Sequence, residues 1–152
     1  MLCDFYKKNI KNIEKEDLDM NRQPLLSIEG KIVHGKGKGK TVGMPTANLE
    51  WNEIVDIPDL GVYASKIQID DKWYMGVTNV GLRPSVDDEK NITIETFILD
   101  FDQDIYGYFV KLELYVYIRG TIKMKSLKDV QGQLKKDSDF AREFFQNEGA
   151  NE

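Results

Sequence analysis

The chain has 152 residues, of which 41% are hydrophobic and 31% charged, and its formal net charge is −5 at pH 7. This length suits about one globular domain, and the acidic balance argues against a broad nucleic-acid surface, which needs an excess of Lys and Arg. No stretch approaches the roughly 20 apolar residues of a membrane span, and the N-terminus lacks the long apolar run of a secretory signal. Cys3 is the single cysteine, which excludes an internal disulfide.

The first 24 residues are predicted to be an appendage or linker. Residues 4–18 are polar with scattered apolar positions, which favours a short amphipathic helix, and Pro24 then interrupts the pattern. From Leu25 the pattern changes to that of strands, and the first candidate strand is Ser27–His34. The main domain is therefore expected to cover residues 25–148.

Residues 35–45 are predicted to be irregular, because they contain four glycines and end in a proline. Lys36, Lys38 and Lys40 alternate with these glycines. Glycines allow backbone N–H groups to approach an anion, and lysines add positive charge. The segment therefore suits either a phosphate-binding loop or a flexible, solvated loop.

The end of this segment looks like a Walker A motif, but the match fails. Gly39-Lys40-Thr41 is followed by Pro45 where a helix should continue, and His34 stands where the first glycine of the motif belongs. A P-loop NTPase is therefore not expected. His34 is also the only histidine, so a typical zinc site lacks its ligands.

Thr46 and Asn48 follow this segment and carry side-chain oxygens two residues apart. In an extended chain such residues point to the same side, so the two oxygens could approach one hard cation together. Neutral oxygens bind Mg²⁺ weakly unless phosphates and waters complete the site. A metal-associated pair and a turn-forming Thr and Asn both remain open at this point.

A tight hairpin is predicted next. Two strand-like runs, Val62–Ile69 and Trp73–Val80, are joined by the short polar pair Asp70-Asp71. Residues 81–90 contain a glycine, a proline and several charges, and are predicted to be a loop.

Ile92–Phe101 is predicted to be a strand with one unusual residue, Glu95, near its middle. Glutamate is disfavoured in strands, and the neighbours of Glu95 on both faces are mainly apolar. Its carboxylate is therefore either outward and solvated or a functional group with a perturbed pKa.

The last predicted strand, Tyr108–Ile118, alternates regularly, which indicates a sheet with one face turned inward. Its apolar face is Val110, Leu112, Leu114, Val116 and Ile118.

After Lys125 the apolar period becomes helical. Ser126 and Asp129 resemble a capping box. The apolar residues that recur at helical spacing are Leu127, Val130, Leu134, Ala141, Phe144 and Phe145. We therefore expect one amphipathic helix of about five turns that packs this stripe on the sheet.

Five or six mostly antiparallel strands followed by one helix exclude a doubly wound parallel sheet. A small closed β-barrel is the natural way to remove sheet edges at this size.

Taken together, these segments resemble the riboflavin kinase family. The similarity covers about residues 25–145 in order, and its Gly-x-Pro-Thr-Ala-Asn element is specific. The matching segments are Gly30–Gly35, Gly43–Leu49, Gly61–Ala64, Asn79–Ser85, Glu95–Phe101, Tyr106-Gly107, Ile118-Arg119 and Ser126–Asp137.

The resemblance implies a mainly β fold, a six-stranded antiparallel closed barrel with Greek-key character and a C-terminal α-helix. It implies ATP-dependent phosphorylation of the riboflavin 5′-hydroxyl to FMN with Mg²⁺ or another divalent metal. The resemblance implies that Gly35 and Lys40 contact the ATP phosphates and that Thr46 and Asn48 associate with the metal and ATP. It implies that Glu95 is the general base. It also implies that Arg119 and Leu127 contact the flavin.

The expected ligands are thus riboflavin or FMN and ATP or ADP, and no binding to nucleic acid or membrane is expected. The protein is expected to be a monomer in the cytoplasm. Bacterial relatives often carry an N-terminal adenylyltransferase domain that makes FAD. This chain has no room for it and is expected to be either a stand-alone kinase or the kinase half of a larger product, so its own product is expected to be FMN. The alternative is an inactive barrel that binds a flavin or nucleotide without transferring phosphate.

Overall fold

The computed structural model describes residues 23–33, 46–51, 56, 58–83, 91–122 and 124–149. Within these ranges the elements are β1 (Leu26–Val33), β2 (Ala47–Trp51), β3 (Gly61–Ile69), β4 (Lys72–Arg83), β5 (Asn91–Ile98), β6 (Phe109–Arg119) and helix α1 (Leu127–Gly149).

The six strands form a closed barrel in the order β1-β2-β5-β4-β3-β6, and β6 pairs back onto β1. Every pair is antiparallel. Strands β3, β4 and β5 are sequential neighbours, whereas β6 returns to lie beside β3, which is a Greek-key arrangement. Closure gives each of the six strands two neighbours. The predicted six-stranded antiparallel barrel with a C-terminal helix is confirmed.

The predicted hairpin between β3 and β4 is also confirmed. Asp70 and Asp71 have φ angles of 50° and 68°. A two-residue turn with positive φ at both positions matches the twist of the flanking strands, and aspartate tolerates this conformation better than most residues. The register runs without a break from Ile69↔Lys72 to Gly61↔Val80.

The barrel interior is filled by aliphatic side chains from all six strands. Ile67, Val80, Ile94 and Leu112 are among those almost completely removed from water. Burial of each such side chain contributes about 1.5–3 kcal/mol to folding, so the interior supplies much of the driving force.

Three buried hydroxyl groups also lie inside the barrel. Thr78 Oγ1 donates to Ser65 Oγ at 2.8 Å and also lies 2.8 Å from Thr96 Oγ1. Each hydroxyl therefore has a partner, which avoids the cost of a buried polar group without one.

Strand β6 departs from the predicted alternation after Leu114. Register shifts against β3 lie between Val62 and Tyr63 and between Ala64 and Ser65. Val116 and Ile118 consequently leave the interior and pack on the outside, against the helix. The prediction that they share a face with Leu114 was wrong, because each β-bulge inserts one residue and reverses the alternation.

Two predicted strand ends differ from the structure. Strand β4 extends to Arg83, and its last residues pair with the start of β5, so the predicted loop begins too early. Strand β5 ends at Ile98 rather than Phe101, because Leu99 and Asp100 form a turn in which Asp100 has a φ of 56°.

Helix α1 covers part of the outer barrel surface. Ser126 caps it, since its Oγ accepts a hydrogen bond of 3.1 Å from the Asp129 N–H. Phe140, Phe144 and Phe145 are buried against outward-facing residues of the barrel, among them Val62. The helix has 23 residues, or about six turns, which is longer than expected.

The first turns of α1 do not pack as predicted. Leu127 and Val130 are exposed, whereas the apolar residues of the helix are half-buried at Leu134 and buried from Phe140 onward. The apolar stripe of the sequence is therefore split into a packed part and a solvent-facing part.

The predicted helix in residues 4–18 and the glycine-lysine segment 35–45 lie outside the described residues. Within the residues that are described, no helix has both the length and the apolarity needed to cross a membrane.

Candidate active site

Glu95 lies in the middle of β5 and has an asparagine on either side. Its Cα partners are Asn48 of β2 and Asn79 of β4. Residues directly opposite in antiparallel strands place their Cβ atoms about 4.5–5.5 Å apart on one face. We call these three half-buried residues the Glu95 row.

The Glu95 row is on the outer face of the barrel. Leu49, Ile94 and Val80, which follow or precede the row residues in sequence, all pack in the interior. Because side chains alternate along a strand, the row points outward. Glu95 therefore points outward, and its side chain is half-buried beside two amides rather than fully solvated.

The same line of residues continues across the barrel to Arg119. Asn79 is opposite Val62, and Val62 is opposite Arg119 at the end of β6. Strands are spaced by about 4.8 Å, so the three steps from Glu95 place Arg119 about 14 Å away. Arg119 thus borders the same surface without touching the Glu95 row.

Arg119 is bound to the helix in this structure. Its Nε donates to Asp137 Oδ1 and Oδ2 at 3.1 and 3.2 Å, and its Nη2 donates to Oδ2 at 2.8 Å. Gln133 Nε2 also donates to Asp137 Oδ1 at 3.1 Å, and Arg119 Nη1 donates to the Gly120 carbonyl at 3.0 Å. Planar two-point pairing of this kind orients the guanidinium group tightly.

This ion pair joins the last residue of β6 to α1 across the connection between the two elements. Exposed apolar side chains lie in or beside that connection, namely Tyr117, Ile122, Leu127 and Val130. They provide apolar surface near the Arg119 end of the row.

The remaining predicted site residues fall into two groups. Thr46 is half-buried and immediately precedes β2, two residues from Asn48. Leu127 begins α1 and is exposed. Gly35 and Lys40 lie outside the described residues.

A tyrosine beneath the Arg119 end of the row is held neutral. Tyr63 donates its hydroxyl to the Asp59 carbonyl at 2.5 Å and meets Tyr117 edge to face, with ring centroids 5.3 Å apart. Burial, and then the nearby Asp59 and Tyr117, raise the pKa of Tyr63 to about 12. Tyr63 therefore stays a hydrogen-bond donor at physiological pH.

The structure adds Asn79 and Asp137 to the residues expected from the sequence. Asn79 lies within a segment that matched the family, and an amide in an apolar strand is the same kind of signal that drew attention to Glu95. Asp137 is a carboxylate on the buried side of the helix, and a buried charge requires a partner. Neither partnership follows from sequence spacing.

Comparison with known proteins identifies one family. The family model described as Flavokinase: Riboflavin kinase matches residues 23–145. A bifunctional riboflavin kinase/FMN adenylyltransferase of Listeria monocytogenes is 36% identical over 119 residues, which cover 78% of this chain and 38% of that protein. The protein with the same description from Escherichia coli strain K12 is 37% identical over 120 residues, with the same coverage of 78% and 38%. The chain thus spans about two fifths of the length of these curated relatives.

Two solved structures are similar in fold. A Streptococcus pneumoniae structure described as a macrolide-efflux protein has a TM-score of 0.73 and 35% sequence identity, covering 78% of this chain and 38% of that one. A riboflavin kinase from Trypanosoma brucei has a TM-score of 0.56 and 23% identity, covering 79% of each chain. At that identity the second structure supports the fold alone.

Proposed function

The chain belongs to the riboflavin kinase family, and on this basis we propose that it transfers the γ-phosphate of ATP to the 5′-hydroxyl of riboflavin, forming FMN. The observation that carries the proposal is the family match over residues 23–145. It is supported by the position of Glu95, which is half-buried between two amide side chains on the outer face.

Glu95 is proposed as the general base. Its carboxylate accepts the proton of the 5′-hydroxyl while that oxygen attacks the γ-phosphorus, and ADP leaves with the electron pair of the broken P–O bond. Phosphoryl transfer depends mainly on positioning and charge stabilisation. A positioned general base typically contributes about 10²–10⁴-fold.

Thr46 and Asn48 are proposed to bind the divalent metal, taken here as Mg²⁺, on the β2 side of Glu95. The donor set fits this role, since hydroxyl and amide oxygens are hard ligands and a Mg²⁺ site normally completes its shell with phosphates and waters. Within the described ranges no three His, Cys, Asp or Glu side chains converge on a possible metal site. When bound with ATP, the metal neutralises phosphate charge.

Gly35 and Lys40 are proposed to bind the ATP phosphates, through a backbone amide and a positive charge. Arg119 and Leu127 are proposed to contact the flavin. The exposed apolar side chain of Leu127, together with Ile122 and Val130, supports this assignment, because a flavin ring requires apolar cover. Arg119 also joins the end of β6 to α1 through its ion pair with Asp137.

The wider context is also proposed. Residues 25–148 constitute the kinase domain and residues 1–24 an appendage. The protein acts as a monomer in the cytoplasm on riboflavin and ATP.

The direct test is to incubate the chain with riboflavin and MgATP and to separate FMN by chromatography. Formation of FMN with a matching release of ADP is expected. Binding of riboflavin without any FMN would instead favour an inactive flavin-binding barrel.

Glu95→Gln tests the proposed base. We expect kcat to fall by about 10²–10⁴-fold because the amide cannot accept the proton, while ATP affinity stays nearly unchanged in calorimetry. Glu113→Gln is the matched control, since Glu113 is also a half-buried strand glutamate and interacts with Tyr115. Unchanged turnover of Glu95→Gln would remove Glu95 from the mechanism.

Thr46→Ala tests the metal assignment. Loss of one oxygen ligand should raise the Mg²⁺ concentration needed for half-maximal activity, by about tenfold if the hydroxyl contributes about 1.4 kcal/mol. Identical Mg²⁺ titrations for the variant and the wild type would contradict the assignment.

A further inference from the structure

The β4 side of Glu95 carries a glycine flanked by two polar side chains. Gly81 follows Asn79 by two residues on the same face of β4 and pairs with Thr93 of β5. A Cβ atom added at Gly81 would lie 3.1 Å from Asn79 Nδ2 and 3.5 Å from Thr93 Oγ1. Thus the amide of Asn79 and the hydroxyl of Thr93 both border the space above Gly81, which we call the β4 notch.

The β4 notch and the proposed metal pair lie on opposite sides of Glu95. Asn48 is the β2 neighbour of Glu95, whereas Asn79 is its β4 neighbour. In phosphoryl transfer the attacking and leaving oxygens are roughly in line on opposite sides of the transferred group. If ATP and its metal occupy the β2 side of Glu95, the β4 side is left for the acceptor whose hydroxyl Glu95 deprotonates.

The chemistry of the notch suits a polyol. An amide and a hydroxyl each donate and accept hydrogen bonds, as a substrate hydroxyl also does, and neither adds a charge. Asn79, Gly81 and Thr93 are half-buried, so hydrogen bonds formed there would be shielded in part from water. Because Gly81 has no side chain, the Asn79 amide and the Thr93 hydroxyl can both lie close to its Cα and face a substrate together.

We propose that Asn79 binds hydroxyl groups of the ribityl chain above Gly81, with Thr93 on the other side of the chain, and thereby positions the 5′-hydroxyl at Glu95. This inference rests on the proposed riboflavin kinase activity. It assigns Asn79 as a substrate-binding residue that determines preference for a polyhydroxylated side chain.

The test compares two acceptors, riboflavin and an analogue whose flavin ring carries a 5-hydroxypentyl chain. The analogue keeps the terminal hydroxyl that is phosphorylated but lacks the remaining ribityl hydroxyls. For Asn79→Ala we expect kcat/KM for riboflavin to fall about tenfold, with less than about a twofold change for the analogue, because only riboflavin loses a hydrogen bond.

Gly81→Ala provides a second variant that keeps Asn79 but crowds its amide, because the added Cβ would lie 3.1 Å from Asn79 Nδ2. The added methyl group should raise the KM for riboflavin while the KM for ATP stays the same. Gln68→Ala is the matched control, because Gln68 is another half-buried amide on a barrel strand and pairs with Trp73 and Lys111, far from the notch. It should change neither acceptor.

The outcomes separate the two proposals. If the wild type forms no FMN, the proposed function fails before Asn79 is considered. If the wild type is active but Asn79→Ala lowers kcat/KM equally for both acceptors, or for neither, the inference about Asn79 is overturned. Thermal unfolding of each variant checks that the barrel is folded. If Asn79→Ala does not fold, the KM of Gly81→Ala for riboflavin tests the proposal instead.

Discussion

Removal of the Asp137 carboxylate should destabilise the protein more than loss of any exposed ion pair described here. Asp137 retains 1% and Arg119 13% of its side-chain exposure, and three hydrogen bonds connect them. Asp137→Ala leaves the guanidinium largely buried without its counter-charge. It also removes the acceptor of Gln133.

The magnitude follows from this burial. Breaking a buried pair by removing one partner costs about 3–5 kcal/mol, since the desolvated charge that remains has lost its compensation. For a chain of this size each kcal/mol shifts Tm by about 2–4 °C. We therefore expect Asp137→Ala to lower Tm by roughly 6–20 °C.

Urea unfolding followed by circular dichroism measures the effect, and two further variants calibrate it. Lys135→Ala breaks the pair with Asp139, whose partners are 78% and 61% exposed, and should cost less than about 0.5 kcal/mol. The double variant Arg119→Met/Asp137→Leu removes both charges and should recover most of the lost stability.

The reasoning would be refuted by an Asp137→Ala variant that loses less than about 1 kcal/mol, because the pair would then behave like a surface pair. A double variant as unstable as Asp137→Ala would show that packing, rather than an uncompensated charge, is responsible.

Two further predictions concern the barrel and its outer surface. Gly76→Ala should lower the free energy of unfolding in urea by about 1–3 kcal/mol, because its Cβ would lie 2.9 Å from Thr96 Cγ2 and 3.0 Å from Ser65 Oγ inside the barrel. A loss below about 0.5 kcal/mol would show that these side chains move aside easily. The hydrogen bonds and charge of Arg142 lower the pKa of Asp100 from its ordinary 3.8. The ion pair therefore stabilises the fold above pH 3.8, and this stabilisation is lost as the pH falls through the lowered pKa. The stability difference between the wild type and Arg142→Ala should thus be constant near neutral pH and shrink below pH 3.8, and a difference that grows in acid would contradict the sign.

Much of the local structure was predictable because it depends on neighbours in sequence. The Asp70-Asp71 turn follows from two residues that tolerate positive φ between two alternating strands. The start of α1 follows from the Ser126 cap. The choice of a closed barrel followed from several short strands without intervening helices, because such a sheet otherwise exposes its edges.

Other local features depended on distant partners. The alternation of β6 is regular in sequence, but two bulges against β3 turn Val116 and Ile118 outward to meet the helix. Leu127 and Val130 fit the helical stripe, yet no other element buries them in the described part of the chain. Sequence periodicity gives the faces of an element but not how much of each face another element covers.

The sequence by itself therefore determined the family, the barrel class and the residue types suited to phosphate transfer. Tertiary structure alone decided which of them meet. Asn48, Asn79 and Glu95 belong to three strands, and they form one row because the barrel closes in the order β2-β5-β4. Arg119 and Asp137 likewise pair only because α1 folds back on the barrel. Such contacts between distant segments depend on strand order and register, which local patterns do not specify.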